Sequence, residues 1–179
     1  MMKKVLVIST SLRPHSNSDV LARAFVQGAE EAGHQVEYIS LRGKDIHFCR
    51  GCYACEQTFQ CAVKDDAPAI VEQINDADVI AFATPIYYYE MAGQFKALLD
   101  RTVSKYYAPH KPQDIYLLTA AAENEPSTPE GAEHGLQGWI ACYDDVRLAG
   151  HVFAGGVQNQ GDIEGHPAIQ KAYNSGKAC

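Results

Sequence analysis

Apolar residues in this chain gather into short, evenly spaced runs separated by amphipathic stretches. Val5–Ile8, Asp78–Thr84, Asp114–Ala120 and Leu148–Gly155 each carry a near-continuous apolar run, the pattern of strands covered on both faces. Val36, Tyr38 and Leu41 mark a further strand by alternation. Between them the period changes. Leu21, Phe25, Gly28 and Ala32 form one helical stripe that ends at Gly33. Ile70 and Ile74 give an apolar face to a helix opened by Asp65 or Asp66, with Pro68 in its first turn. "GQFKALLDRTV", "GLQGWIACYDDV" and "PAIQKAYNSG" complete the helices. Strands alternating with helices predict a three-layer α/β sandwich around a five-stranded parallel sheet. No repeat, linker or boundary interrupts the pattern, so 1–179 reads as a single domain with a cysteine-rich excursion at 43–66.

Such sheets bind ligands at the carboxyl ends of their strands, where strand order reverses. The loops to search are therefore Ser9–Ser18, Pro85–Gly93, Ala121–His134 and Gly156–Gly165. The first, "STSLRPHSNS", places Ser9, Ser11, Arg13, Ser16, Asn17 and Ser18 beside a helix N-terminus. Hydroxyls, free amides and the helix dipole together make an anion site, and a phosphate fits it. Neither the dinucleotide fingerprint nor the P-loop spacing is present. The loop after the third strand carries Pro85, Ile86, Tyr87, Tyr88 and Tyr89, where aromatic faces could meet a planar ligand or cover an interface.

Net charge narrows the partners. At −7 over 179 residues, the chain lacks the basic surface that nucleic acid or an anionic membrane demands. No apolar run nears the roughly 18 residues of a membrane span. The N-terminal run stops after Ile8, short of a signal peptide, so the expected compartment is the cytoplasm. There, four cysteines spaced C-x2-C-x2-C-x5-C (Cys49, Cys52, Cys55 and Cys61) read as ligands or redox thiols before disulfides. Cys142 falls in a helical pattern and reads as core. Lys96 and Arg101 read as structural ion-pair partners, for instance of Asp100 or Glu90. No G-x-S-x-G elbow or paired histidine motif supports hydrolase or histidine–metal chemistry.

Together, "STSLRPHSNS", "CRGCYACEQTFQCAVKDD", "ADVIAFATPIYYYEMAGQFKALLDR" and "GGVQNQGDIEGHPAIQKAY" resemble the NAD(P)H-dependent FMN reductase and iron–sulfur flavoprotein family. The resemblance implies a flavodoxin-like fold with FMN bound non-covalently. Ser9, Ser11, Arg13, Ser16, Asn17 and Ser18 would hold its phosphate. Pro85, Ile86, Tyr87, Tyr88 and Tyr89 would meet the isoalloxazine, with Ala121 and Ala122 on its other side. It also implies hydride transfer from NAD(P)H to FMN and onward to a small-molecule acceptor such as a quinone or flavin, by a homodimer or higher homo-oligomer. Three readings of the cysteines stay open: free thiols in an FMN reductase, a [4Fe–4S] cluster in an electron carrier, or a thiol or zinc sensor on the same scaffold. No acid–base catalyst is expected, because the chemistry belongs to the cofactor.

Overall fold

The computed structural model describes all residues, Met1–Cys179. Five parallel strands form the sheet: β1 Lys4–Ser9, β2 Gln35–Ser40, β3 Val79–Tyr87, β5 Gln113–Ala120 and β6 Val146–Ala154. Their order is β2-β1-β3-β5-β6, the flavodoxin-like order. A two-residue strand, β4 Glu90–Met91, folds back antiparallel on the end of β3. The alternation of β1 assigns its side chains to two cores. Leu6 and Ile8 join Ile80, Phe82, Ile115 and Leu117 beneath helices α3 Ala67–Asp76, α4 Gly93–Arg101 and α6 Glu130–Ile140. Val5 and Val7 join Ala81, Ala83 and Leu118 beneath α1 Asn17–Glu31 and α7 Pro167–Ala178. Two helical layers thus cover the sheet, as the doubly apolar strands require.

Several boundaries differ from the sequence pattern. β3 runs three residues past Thr84, because the hairpin with β4 continues its pairing. The "GQFKALLDRTV" segment breaks at Thr102 into α4 and a short α5, Val103–Tyr106. On α1, Ala29 is buried in place of Ala32. Gly28 is there for space: a Cβ would lie 2.0 Å from the carbonyl oxygen of Tyr173 on α7, closer than any side chain permits.

The excursion after β2 holds only one helical turn, α2 Cys55–Thr58. What fixes it is a buried ion pair. Arg101 donates to Asp65 Oδ1 at 2.9 Å and to the carbonyls of His47 and Val63. Asp65 also accepts the amides of His47 and Ala67. Both side chains are essentially sealed from water. The expected ion pairing of Arg101 with Asp100 or Glu90 is therefore corrected: the helix turns Arg101 inward, and Lys96 takes Asp100. Burial alone would lift the Asp65 carboxyl, yet the guanidinium and the two amides outweigh it and hold it below the usual carboxylate range.

Arg101→Met should leave an uncompensated buried carboxylate and lower unfolding free energy by about 3–5 kcal/mol, read by urea titration. The folded Asp65 carboxyl titrates below its unfolded value. Its contribution is therefore complete above about pH 4 and is lost as pH falls through the folded pKa. Asp65→Asn should flatten that acid-side decline.

Candidate functional site

The first site-forming element is the turn from β1 into α1. Ser16 caps α1, its Oγ accepting from the amide of Asp19 at 3.2 Å. The amides of Asn17 and Ser18 then open the helix without a backbone acceptor, pointing where an anion would sit. Ser11 and Ser16 in the loop, and Asn17 and Ser18 at the start of α1, are all buried. Asn17 Nδ2 donates to the carbonyl of Asn159 at 2.9 Å, and Arg13 reaches the carbonyl of Gln158 at 2.8 Å. These bonds tie the loop after β6 to the loop after β1. Asp162 shapes that second loop by accepting the amides of Gln158 and Asn159. From the other side, Gln94 on α4 donates to the carbonyl of Thr10 at 2.6 Å.

These elements enclose a cleft of about 290 Å³. Ser11, Arg13, Ser16, Asn17 and Ser18 line one end, Pro85, Ile86 and Tyr87 one side, and Ala121 and Ala122 the other. Ten of the thirteen residues expected from the sequence thus share one wall-to-wall site. Three do not. Ser9 faces the far side of the loop, buried against the Asp19 carboxylate, because alternation along β1 turns it away from the cleft. Tyr88 and Tyr89 form the tip of the β3–β4 hairpin and project into solvent, 100% and 60% exposed. Ala120, Val157 and Gln158 also line the cleft. The signal for the last two was their place after the fifth strand of the pattern; no residue type marked them.

The hairpin is strained. Tyr88 and Tyr89 have φ of 51° and 65°, the backbone of a two-residue turn that normally takes Asn-Gly. Bulky residues there cost on the order of 1–3 kcal/mol each and persist only where the surroundings impose them. The surroundings here are α6. A Cβ on Gly131 would lie 2.3 Å from the carbonyl oxygen of Tyr89, so the helix presses directly on the turn. Beneath α6, His151 bridges Thr119 Oγ1 at 2.9 Å and Glu133 Oε2 at 3.0 Å. Burial pushes the His151 imidazole down, against the pull of Glu133, which favours the neutral ring.

Asn17 supplies a fit test for a bound flavin mononucleotide. Its Oδ1 is buried with no partner in the chain, while its Nδ2 is committed to Asn159. An acceptor beside the free amides suits a ligand carrying both hydroxyl donors and an anion, as a ribityl phosphate does.

The cysteines lie elsewhere. Cys49, Cys52, Cys55 and Cys61 line a larger cleft of about 490 Å³ with Arg101, Tyr106, Tyr107, Trp139 and Tyr143. Cys142 lies on its rim, exposed; it follows the end of α6, and the core reading is corrected. Another cleft of about 580 Å³ adjoins Cys61. Both exceed the cleft at the strand ends, but neither has its anion cradle. Arg101 Nε is buried without a hydrogen-bond partner there. No three of these thiols, with any His, Asp or Glu, approach closely enough to share one metal ion.

Residues 3–124 match the family described as NADPH-dependent FMN reductase. The chain belongs to that family. Among curated relatives, an iron–sulfur flavoprotein of Methanosarcina thermophila is 27% identical over 168 residues, covering 92% of this chain and 84% of its own. Another, from Methanocaldococcus jannaschii, is 35% identical over 55% of this chain and 51% of its own. That match, like several others, spans about half the relative's length. Among solved structures, an NAD(P)H:quinone oxidoreductase from Methanothermobacter marburgensis superposes with a TM-score of 0.75 at 19% identity, covering 99% of this chain and 96% of that one. The likeness shows the shared flavodoxin-like fold.

In this FMN reductase family member, Gly131→Ala should push the Tyr88–Tyr89 turn off α6. Added FMN should then bind at least tenfold more weakly, measured by quenching of flavin fluorescence, with the far-UV spectrum unchanged.

Proposed function

We propose that the chain is an FMN-dependent oxidoreductase that uses NAD(P)H to reduce a second small-molecule acceptor such as a quinone or a flavin. One observation carries this reading: the hydroxyl loop, the Pro85–Tyr87 segment and Ala121–Ala122 converge on one cleft where strand order reverses. Ser11, Arg13, Ser16, Asn17 and Ser18 would hold the phosphate and ribityl chain of FMN, and Pro85, Ile86 and Tyr87 would flank its ring opposite Ala121 and Ala122. When bound, FMN supplies hydride acceptance from NAD(P)H and onward electron transfer. The chain's own work is to neutralise the phosphate and orient the ring through the hairpin. No side chain is assigned as acid or base.

The same reading takes 1–179 as one FMN-binding domain with the excursion at 43–66. It also takes the exposed Tyr88 and Tyr89 as part of a homodimer contact, where a second copy would cover them. No helix is long and apolar enough to cross a membrane, and a cytoplasmic place follows from the reading.

A second reading has its own support. Four cysteines on one cleft beside a buried guanidinium, and relatives named iron–sulfur flavoproteins, favour an electron carrier with a [4Fe–4S] cluster on Cys49, Cys52, Cys55 and Cys61. Four thiolates are the set such a cluster takes, one on each iron, and no step is routed through them.

Spectra of anaerobically purified protein, before and after NADPH, test both readings. A yellow two-banded spectrum bleached by NADPH sustains the reductase. A brown, broad-shouldered spectrum that NADPH bleaches poorly overturns it in favour of the carrier. Ser11→Ala combined with Ser16→Ala should weaken FMN binding by at least tenfold, since each removed hydroxyl would face the bound phosphate. Unchanged affinity in a titration would refute the phosphate site.

A further inference from the structure

The guanidinium that anchors the excursion has one donor left over. Arginine carries five N–H groups. On Arg101 the four terminal ones are committed. Nη1 donates to the carbonyl of His47 at 2.8 Å and to Asp65 Oδ2. Nη2 donates to Asp65 Oδ1 at 2.9 Å and to the carbonyl of Val63 at 3.2 Å. The fifth, on Nε, is buried and meets no acceptor. The side chain is 1% exposed, which seals this donor from bulk water. A charged donor left unpaired in such a place is costly, so an acceptor belongs beside it.

The surroundings of Arg101 say which acceptor. His47 and Val63 stand two residues outside Cys49 and Cys61, so the fork closes the cysteine run at both ends. Arg101 and all four cysteines of the run line one cleft. Burial lowers the Arg101 guanidinium, and Asp65 and then Cys61 outweigh it. Asp65 is already held by the fork, which leaves Cys61 for Nε. A protonated thiol is a weak acceptor and a thiolate a strong one. Four thiolates are also the ligand set of a cubane cluster, one on each iron. The orphaned donor therefore fits a metal-bound Cys61 thiolate better than a free thiol. Between the cysteines, Tyr53 and Phe59 take left-handed backbone, with φ of 56° and 55°, a strain bulky residues keep only where their surroundings impose it.

We propose that Arg101 tunes a [4Fe–4S] site on this run: its Nε–H donates to the Cys61 thiolate and raises the reduction potential there, while Asp65 moderates the effect. The proposal rests on the electron-carrier reading. Its sign follows from charge. One added electron makes the thiolate-ligated site more negative, and a donor aimed at a ligand sulfur favours that state. Asp65 opposes it as a fixed negative charge on the same guanidinium. Arg101 is a positioning residue, acting through Cys61 and not on the metal.

The test is a mediated redox titration of the full chain, reconstituted anaerobically with iron and sulfide, with dithionite supplying the electron. Electron paramagnetic resonance separates the cluster from the flavin, and iron content and far-UV spectra are read in parallel. Arg101→Lys keeps a cation for Asp65 but lacks Nε. It should retain about four irons per chain. Its reduced-to-oxidised ratio at the wild-type midpoint should fall about tenfold, a midpoint lower by about 59 mV for one electron. Asp65→Asn keeps Nε and removes the opposing charge, so its midpoint should rise. Arg50→Gln removes an exposed cation from the same cleft and should shift the midpoint far less, because water screens it. A loaded Arg101→Lys with the wild-type midpoint, or both variants shifted the same way, overturns the proposal. If Arg101→Lys holds no cluster, Asp65→Asn decides: a raised midpoint sustains the proposal and an unchanged or lowered one overturns it. Loss of the cluster from both variants overturns it in favour of a purely structural clasp. A wild type that takes up no cluster overturns the electron-carrier reading and the proposal together, whereas a loaded wild type with unmoved variants overturns the proposal alone.

Discussion

The constraint on which the rest depends is the reversal of strand order at β1. From β1 the chain crosses outward to β2 over α1, and from β2 it returns past β1 to β3 over α3. Crossovers of one hand that travel in opposite directions must place their helices on opposite faces of the sheet. The turns leaving β1 and β3 therefore diverge, and a crevice opens at their carboxyl ends. Every element of the cleft is a consequence. The α1 N-terminus points into it because α1 starts there, and the β3 extension borders it because no crossover helix covers it. Strands β1 and β3 can hold this arrangement because they are buried almost throughout.

That frame leaves the cleft's outer wall unsupported, and the β3–β4 hairpin supplies it at a local cost. A relaxed sequence at positions 88 and 89 would carry Asn-Gly. Two tyrosines occupy the left-handed backbone instead, with α6 brought against the turn at Gly131. Tyr87 consequently lines the cleft while Tyr88 and Tyr89 face outward. Strain stored beside a ligand cleft and imposed by a packed helix is what a site needs when a ring must be met at a fixed angle.

These origins separate what the sequence could reveal from what it could not. The strands were legible because burial on both faces leaves continuous apolar runs, and the phosphate loop because seven polar residues precede a helix stripe. Ser9 was not, since one residue's phase at a strand end decides which side of the loop it faces. Tyr88 and Tyr89 were not, because their direction depends on a glycine more than forty positions away in sequence. Arg101 was recognised as an ion-pair residue, but nearby carboxylates were the visible partners, whereas Asp65 lies across the excursion. Local pattern carries period and composition; partners separated by a loop are set by topology.

Helix α4 connects the two regions that topology keeps apart. At its first turn Gln94 holds the carbonyl of Thr10, next to the phosphate loop. At its last turn Arg101 holds Asp65 and the carbonyls of His47 and Val63 in the excursion. The two residues lie seven positions apart on one helix, a rigid span of about 10 Å at the usual rise. The ion pair contributes little net stability once its desolvation is counted; its effect is positional. It fixes a loop with a single turn of helix to the same beam that braces the flavin-type cleft. Whatever the cysteines carry, thiols or a cluster, is thereby held at a defined separation from the cleft, which no surface loop of that length would manage by its own contacts.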